Sequence, residues 1–348
     1  MARAINRVTL ARKAETNVAG LSGKPMLLVT LEADSAAREL IKRLVGSDAE
    51  IVHLADLPAE CRGEALRRAH VMLARNTAKE LRPGEGALAA GMRLVQFVTA
   101  GVDYIPLSAL GNVPVAANGG AYAEPMAEHA LAMTLAALKR LMIEHAKLAS
   151  GTFDQFRPNR MLAGATVGIL GFGGIGVATA RLMRALGARV HAINRRGATD
   201  EPVDWIGGED RLGELLQKAD VLLLSLPLTP RSAGMIGERE LAAMKPDAVL
   251  VNLARGEIVD EAALYAHLVA HPSFTACIDA WWVEPVRHGR FEMSHPFTSL
   301  PNVIASPHNS ASVAGWRDMA LTRAVENARL ALTGRTPQFL VPPEDRMM

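Results

Sequence analysis

Three apolar runs in the second half of the chain end in side chains that can move charge. "VLVNLARG" runs into Arg255, "TACIDAWWVEP" passes Asp279 and reaches Glu284, and "NVIASPHNS" ends at His308. A guanidinium holds a carboxylate with its fork of donors and polarises a neighbouring carbonyl. An imidazole titrates near neutrality and passes a proton to a forming alkoxide, or takes one in reverse. A carboxylate beside that imidazole orients it and favours its charged form. These are the groups that hydride transfer to a 2-keto acid needs. Singly, each has a bland use as a loop cap, a solvated charge or a satisfied buried histidine. Their joint placement after late strands of a parallel sheet, where ligands bind beyond the carboxyl ends, favours the chemical reading.

A source of hydride is written upstream. "GILGFGGIG" carries Gly171, Gly173 and Gly176 in the spacing G-x-G-x-x-G, after a strand-like run and ahead of the helical "IGVATARLMRALG". The first glycine permits a tight turn, the second lets a pyrophosphate approach the backbone, and the third lets helix and strand pack closely. The helix N-terminus adds free N–H groups and a partial positive charge. A glycine turn with no ligand is the plain alternative, and the strand–turn–helix context weighs against it. About 20 residues on, an NAD site carries an acid for the ribose hydroxyls. Here "VHAINRRGA" puts Asn194 there, followed by Arg195 and Arg196. A carboxylate would repel a 2′-phosphate, an amide does not, and two guanidiniums suit it. The stretch predicts NADP(H), with NAD as the alternative; the bland reading is a surface turn with Asn194 capping the strand.

The elements that position these groups alternate. "PMLLVTL", "AEIVHLA", "HVMLAR" and "RLVQFVT" are strand-like, separated by helical or turn segments. A helical stretch from about 125 to 150 looks like a connector. "TVGIL", "RVHAIN", "VLLLSLP", "AVLVNLA", "FTACIDA" and "NVIASPH" then give six nearly all-apolar strands, as expected for strands covered on both faces. A final helix follows, from about 313 to 333. The expected fold class is α/β, with two doubly wound parallel-sheet domains. A Rossmann dinucleotide domain (123–308) is inserted in a split, flavodoxin-like substrate domain (1–122 plus 309–348).

Composition bounds the rest. The 348 residues are 49% hydrophobic and 21% charged with net charge +2, so neither nucleic acid nor an anionic membrane is an expected partner. No apolar run reaches the roughly 18 residues that span a bilayer. Cys61 and Cys277 match no metal spacing; Cys277 sits in an apolar run and reads as a buried residue. No metal is expected, and a reduced, cytoplasmic setting is. The start of the chain, basic and without an acid until Glu15, is expected to be frayed rather than a transit peptide.

From about 98 to 307 and beyond, the residues resemble the D-isomer-specific 2-hydroxyacid dehydrogenase family. The resemblance is carried by "TAGVD", "AEPMAEH", "GFGGIG", "SLPLTPRSAGMI", "VNLARGEIVDE", "IDAWWVEP" and "PNVIASPHNSAS", with "ARGEIVDE" the most specific. It implies Arg255, Glu284 and His308 as the catalytic set, with Arg255 and His308 also touching substrate. It implies that the Ala100 and Gly101 backbone holds the substrate carboxylate, and that Gly174 and Ile175 meet the phosphates. Asn194, Arg195 and Arg196 would sit at the ribose, and Leu226, Pro227 and Ser232 would line the adenosine side. Leu253, Ala254, Asp279 and His308 would line the nicotinamide side, and the chain would form a homodimer through its cofactor domain.

The chain departs from the family pattern in places. The usual Asp is absent at 194. Trp281 and Trp282 follow Asp279 as in family formate dehydrogenases, but those carry Gln where this chain has Glu284, which lowers that reading. The segment "VRHGRFEMSHPF" is longer than typical and either reshapes the entrance or is a surface loop. Arg75, Asn76 and Tyr122 fall near the expected pocket, with structural roles favoured. The function expected is an NADPH-preferring reductase of small 2-keto acids such as glyoxylate or hydroxypyruvate, acting reversibly on D-2-hydroxy acids. The alternatives are an NAD-dependent dehydrogenase of a bulkier hydroxy acid and a non-catalytic dinucleotide-sensing protein.

Overall fold

The computed structural model describes residues 23–347, and nearly all of the basic opening segment lies outside them. Two compact units divide the chain. One runs to Ala121 and resumes at Arg317; the other spans Tyr122–Trp316. The second junction thus falls at 316/317 rather than 308/309. Residues just past His308 stay with the second unit because Asn309 and Ser310 donate their N–H groups to Asp279, at 3.1 and 3.3 Å.

The first unit strings β1 (Met26–Val29), α1 (Ser35–Val45), β2 (Glu50–His53), α2 (Ala59–Arg68), β3 (Val71–Ala74), β4 (Leu94–Phe97) and β5 (Val115–Ala116) into a parallel sheet. The order is β2-β1-β3-β4-β5, the flavodoxin-like arrangement. Both faces are covered, so alternate strand residues all need to be apolar. Met26 and Leu28 pack with Leu66, Met72 and Phe97 on one face. Leu27 and Val29 pack on the other with Ile41 and with Leu321, Val325 and Leu332 of the returning helix Trp316–Leu332. That helix is why the unit is split: without it one face of the sheet would lie open. Arg329 secures it to Asp48 at 2.6 Å.

The second unit opens with α3 (Ala123–Leu138) and α4 (Leu141–Ala149). There follow β6 (Thr166–Leu170), α5 (Gly174–Ala185), β7 (Arg189–Ile193), β8 (Trp205–Gly207), α6 (Leu212–Lys218) and β9 (Val221–Leu224). β10 (Val249–Asn252), α7 (Glu261–Ala270), β11 (Thr275–Ile278) and β12 (Val303–Ala305) complete it. The parallel order is β12-β11-β10-β9-β6-β7-β8. Strand order reverses between β6 and β9, which leaves a crevice beyond their carboxyl ends. Val221 and Leu223 face α3 and α5, while Leu222 and Leu224 face α6 and α7, so a four-residue strand is buried on both sides. Cys277 is fully buried on β11, and burial pushes its thiol up to about 12.

Two elements differ from expectation. The stretch from 125 to 150 is two helices, because Arg140 takes a left-handed backbone (φ 55°) and its guanidinium holds Glu144 at 3.1 Å. No glycine or proline marks the break. The sheet also has a seventh strand, β8, only three residues long and ending in glycine, which leaves no periodic trace.

Candidate active site

The crevice side of the second unit is built from the loops after β6, β7, β9, β10, β11 and β12. The β6 loop comes first. An ideal Cβ on Gly171 (φ +98°) would lie 2.5 Å from the Leu226 nitrogen, and one on Gly176 would lie 2.6 Å from the Gly171 oxygen. No larger residue fits at either point. The N–H groups of Gly171 and Phe172 both donate to the Ile193 carbonyl at 3.0 Å, and the Ser225 hydroxyl donates to the Gly171 carbonyl at 2.8 Å. The turn is therefore tied to the ends of both neighbouring strands. Gly173 differs: nothing lies within 4 Å of a Cβ placed there, and it heads α5 without a capping side chain. The first N–H groups of a helix have no intrahelical acceptor. Gly173, Gly174 and Ile175 thus leave an open cradle of donors that fits a pyrophosphate.

At the end of β7 the Asn194 side chain is engaged in its own turn. Its Nδ2 donates to the Ala198 carbonyl at 2.9 Å, and its Oδ1 accepts the Arg196 N–H at 3.0 Å. Asn194 therefore shapes the turn that presents the exposed Arg195 and Arg196. In the β9 loop, Leu226 and Pro227 are solvent-accessible. Ser232 is buried, its hydroxyl donating to the Pro227 carbonyl and accepting the Thr229 N–H, both at 2.8 Å. That side chain braces the loop.

Arg255 stands just past β10, after the buried Leu253 and Ala254. The Asn252 amide fixes this turn, donating to the Arg255 carbonyl at 2.9 Å and accepting the Ala254 N–H at 3.0 Å. Gly256 lets the turn press on the next strand end: a Cβ there would lie 2.4 Å from the Trp281 carbonyl carbon. Beyond β11, Asp279 is fully buried and Glu284 nearly so. Trp281 donates its backbone N–H to Glu284 Oε1 at 2.7 Å and its indole N–H to the Ser306 carbonyl at 2.9 Å. Trp282 stacks on Phe297 and donates its indole N–H to the Val259 carbonyl. The tryptophan pair is thus a brace between strand ends.

His308 completes the group. Its Nδ1 lies 2.7 and 2.8 Å from the two oxygens of Glu284, which leaves Nε2 as the other working nitrogen. Its backbone is left-handed, φ 49°, a conformation that costs a residue other than glycine about 1–2 kcal/mol. The surrounding bonds to Asp279 hold it there. Burial alone would raise the Glu284 carboxyl. The hydrogen bond and charge of His308, the Trp281 N–H and the charge of Arg255 outweigh burial and hold it below the ordinary carboxylate range. Glu284 and His308 are in direct contact, and Arg255, on the neighbouring strand end, acts on the same carboxylate through its charge.

Other expected positions are placed as follows. Ala100 and Gly101 lie half-buried in the loop after β4, in the first unit. Asn76 caps a short helix by accepting the Ala78 N–H, and Glu80 binds the N–H groups of Arg75 and Asn76 at 2.9 and 2.7 Å. Tyr122 meets Trp316 at a tilt of 52°, ring centroids 6.2 Å apart. The long segment after Glu284 is anchored, not loose: Arg287 pairs with Glu257 at 2.6 Å and Phe291 meets Trp281 edge to face. Sequence reasoning passed over His129 and Ser306, which bond at 3.0 Å across a separation of 177 residues. No spacing signal connects them. Among the described residues no cluster of three His, Cys, Asp or Glu side chains could hold a metal ion, and no helix is long and apolar enough to cross a membrane.

A Rossmann sheet with a glycine cradle at its switch point and an imidazole–carboxylate pair at its later strand ends defines a dinucleotide-binding unit equipped for acid–base work. The model for the D-isomer specific 2-hydroxyacid dehydrogenase NAD binding domain matches residues 131–310, and the chain belongs to that family. A glyoxylate reductase of Aeropyrum pernix is 32% identical over 266 residues, covering 73% of this chain and 77% of the relative. A D-3-phosphoglycerate dehydrogenase of Mycobacterium tuberculosis is 35% identical over 213 residues, 60% of this chain; the match spans only 38% of that longer relative. A crystallised Pyrobaculum aerophilum protein, provisionally called a formate dehydrogenase, superposes with a TM-score of 0.75 at 29% identity, covering 92% of this chain and 99% of its own.

Proposed function

We propose that this protein is an NADPH-preferring reductase of small 2-keto acids, of the glyoxylate or hydroxypyruvate kind, working reversibly on D-2-hydroxy acids. The observation that carries the reading is the buried Glu284 bonded through both oxygens to His308 Nδ1, with the charge of Arg255 acting on the same carboxylate. A sensing protein has no use for a proton donor held this way. Formate oxidation releases carbon dioxide and needs no proton relay, so Glu284 also argues against that activity.

The roles follow from the chemistry of each group. Arg255 grips the substrate carboxylate and polarises its ketone. His308 donates a proton from Nε2 to the developing alkoxide. Glu284 holds the imidazole by Nδ1, keeps the proton on the useful side and offsets the positive charge. Gly171, Gly173, Gly174, Ile175 and Gly176 receive the pyrophosphate, and Arg195 and Arg196 the 2′-phosphate. Leu226, Pro227 and Ser232 flank the adenosine, while Leu253, Ala254 and Asp279 border the nicotinamide. When bound, the cofactor supplies the hydride.

The protein is further read as a cytoplasmic homodimer. Supporting the dimer, α4 has no buried residue, and Leu141, Met142, Leu148, Phe153, Phe156 and Met161 form an exposed apolar stretch of the cofactor unit. The test of function is a panel of keto acids with each cofactor. Small keto acids are expected to oxidise NADPH with kcat/KM at least about tenfold above NADH. Cofactor binding without reduction would favour a sensor, and turnover of bulkier acids with NADH would favour the NAD-dependent alternative.

A further inference from the structure

Asp279, fully buried, is the hub of a hydrogen-bond chain that reaches away from the reacting groups. Ser306 Oγ lies 2.5 Å from Asp279 Oδ1, and His129 Nε2 lies 3.0 Å from Ser306 Oγ and 3.9 Å from Asp279 Oδ1. A serine hydroxyl has one hydrogen to donate. Ser306 gives it to the carboxylate, so it accepts from His129, whose Nε2 must carry a proton. The same carboxylate takes the N–H groups of Asn309 and Ser310, and the Ser306 carbonyl takes the Trp281 indole N–H. The segment 306–310 that carries His308 is therefore anchored on Asp279 and on the Trp281 indole, as well as on the Ile278 carbonyl, which takes the Ser306 N–H at 2.9 Å. His129 stands on α3, a different element from all of these, and ties that helix to the segment.

We propose that His129 is a positioning residue for the proton donor. Through Ser306 it fixes the Asp279 carboxylate, and through Asp279 it keeps His308 in its left-handed backbone with Nδ1 on Glu284. His129 touches no reacting atom; it sets how often His308 points correctly. The consequence for turnover rests on the reductase reading above, while the consequence for the His308–Glu284 bond does not.

Two readouts separate these levels. In turnover, His129→Phe and Ser306→Ala are expected to lower kcat about tenfold, a part of the roughly hundredfold that a 1 Å misplacement can cost, with KM for the keto acid nearly unchanged. His129→Gln, which keeps a donor, is expected to restore most of kcat. In the chain without cofactor, the downfield NMR signal of the His308 Nδ1 proton is expected to broaden in His129→Phe and Ser306→Ala and to persist in His129→Gln. If all three variants keep kcat and that signal, the proposal is wrong. It is equally wrong if His129→Gln is as impaired as His129→Phe. If the wild type reduces no keto acid, the proton signal still decides the positioning role. Should His129→Phe fail to fold, Ser306→Ala and His129→Gln carry the test.

Discussion

The two charged sites of the second unit are built on opposite terms. Glu284 is buried, and it holds the more exposed His308 through two oxygens on one nitrogen, with backbone donors bracing both strand ends. Arg195 and Arg196 stand exposed on a turn whose shape Asn194 fixes. Preorganised bonds on the buried carboxylate make the first pair less sensitive to salt than exposed charges are. Exposure makes the arginines a field that salt screens. One site is a bonded pair anchored on a buried carboxylate, and the other is a pair of exposed cations.

Substitutions can break this contrast at either end. The largest effect is expected from His308→Gln: kcat for keto-acid reduction should fall about 10²–10⁴-fold while NADPH still binds, as steady-state kinetics and cofactor fluorescence would report. Next, Arg195→Ala with Arg196→Ala should weaken NADPH about tenfold or more and leave NADH nearly untouched, with the NADPH preference shrinking as salt rises. Equal weakening of both cofactors would contradict the assignment.

The smallest effect concerns stability. Glu284 is held below its unfolded value of about 4.3, so it contributes stability that is present above that pH and lost as pH falls through its depressed folded value. The gap in unfolding free energy between wild type and Glu284→Gln, from urea titrations, should therefore be widest near neutrality and narrow in acid. A gap that stays constant with pH would sink this claim.

Steric need made much of this legible in sequence. Gly171 and Gly176 announce a turn because nothing larger fits, and continuous apolar strands announce a sheet covered on both faces. Arg255, Glu284 and His308 were readable from their residue types at strand ends. What stayed hidden depends on long-range packing or on very short elements. The break at Arg140 has no glycine or proline to mark it, and β8 is too short for a period. The engagement of Asn194 and Ser232 within their own loops is a matter of side-chain direction, on which residue type is silent. The His129–Ser306 bond joins a helix and a strand end that only the folded chain brings together.

The central claim is that hydride reaches the keto carbon beside this arginine, imidazole and carboxylate. The most direct measurement uses NADPH deuterated at both ring C4 positions, mixed with glyoxylate, with the product read by mass spectrometry. Wild type should place one deuterium on the carbon that becomes the alcohol, and His308→Gln should place almost none in the same time. Bound NADPH with no deuterium in any product of the wild type, or equal transfer by both proteins, would contradict the account.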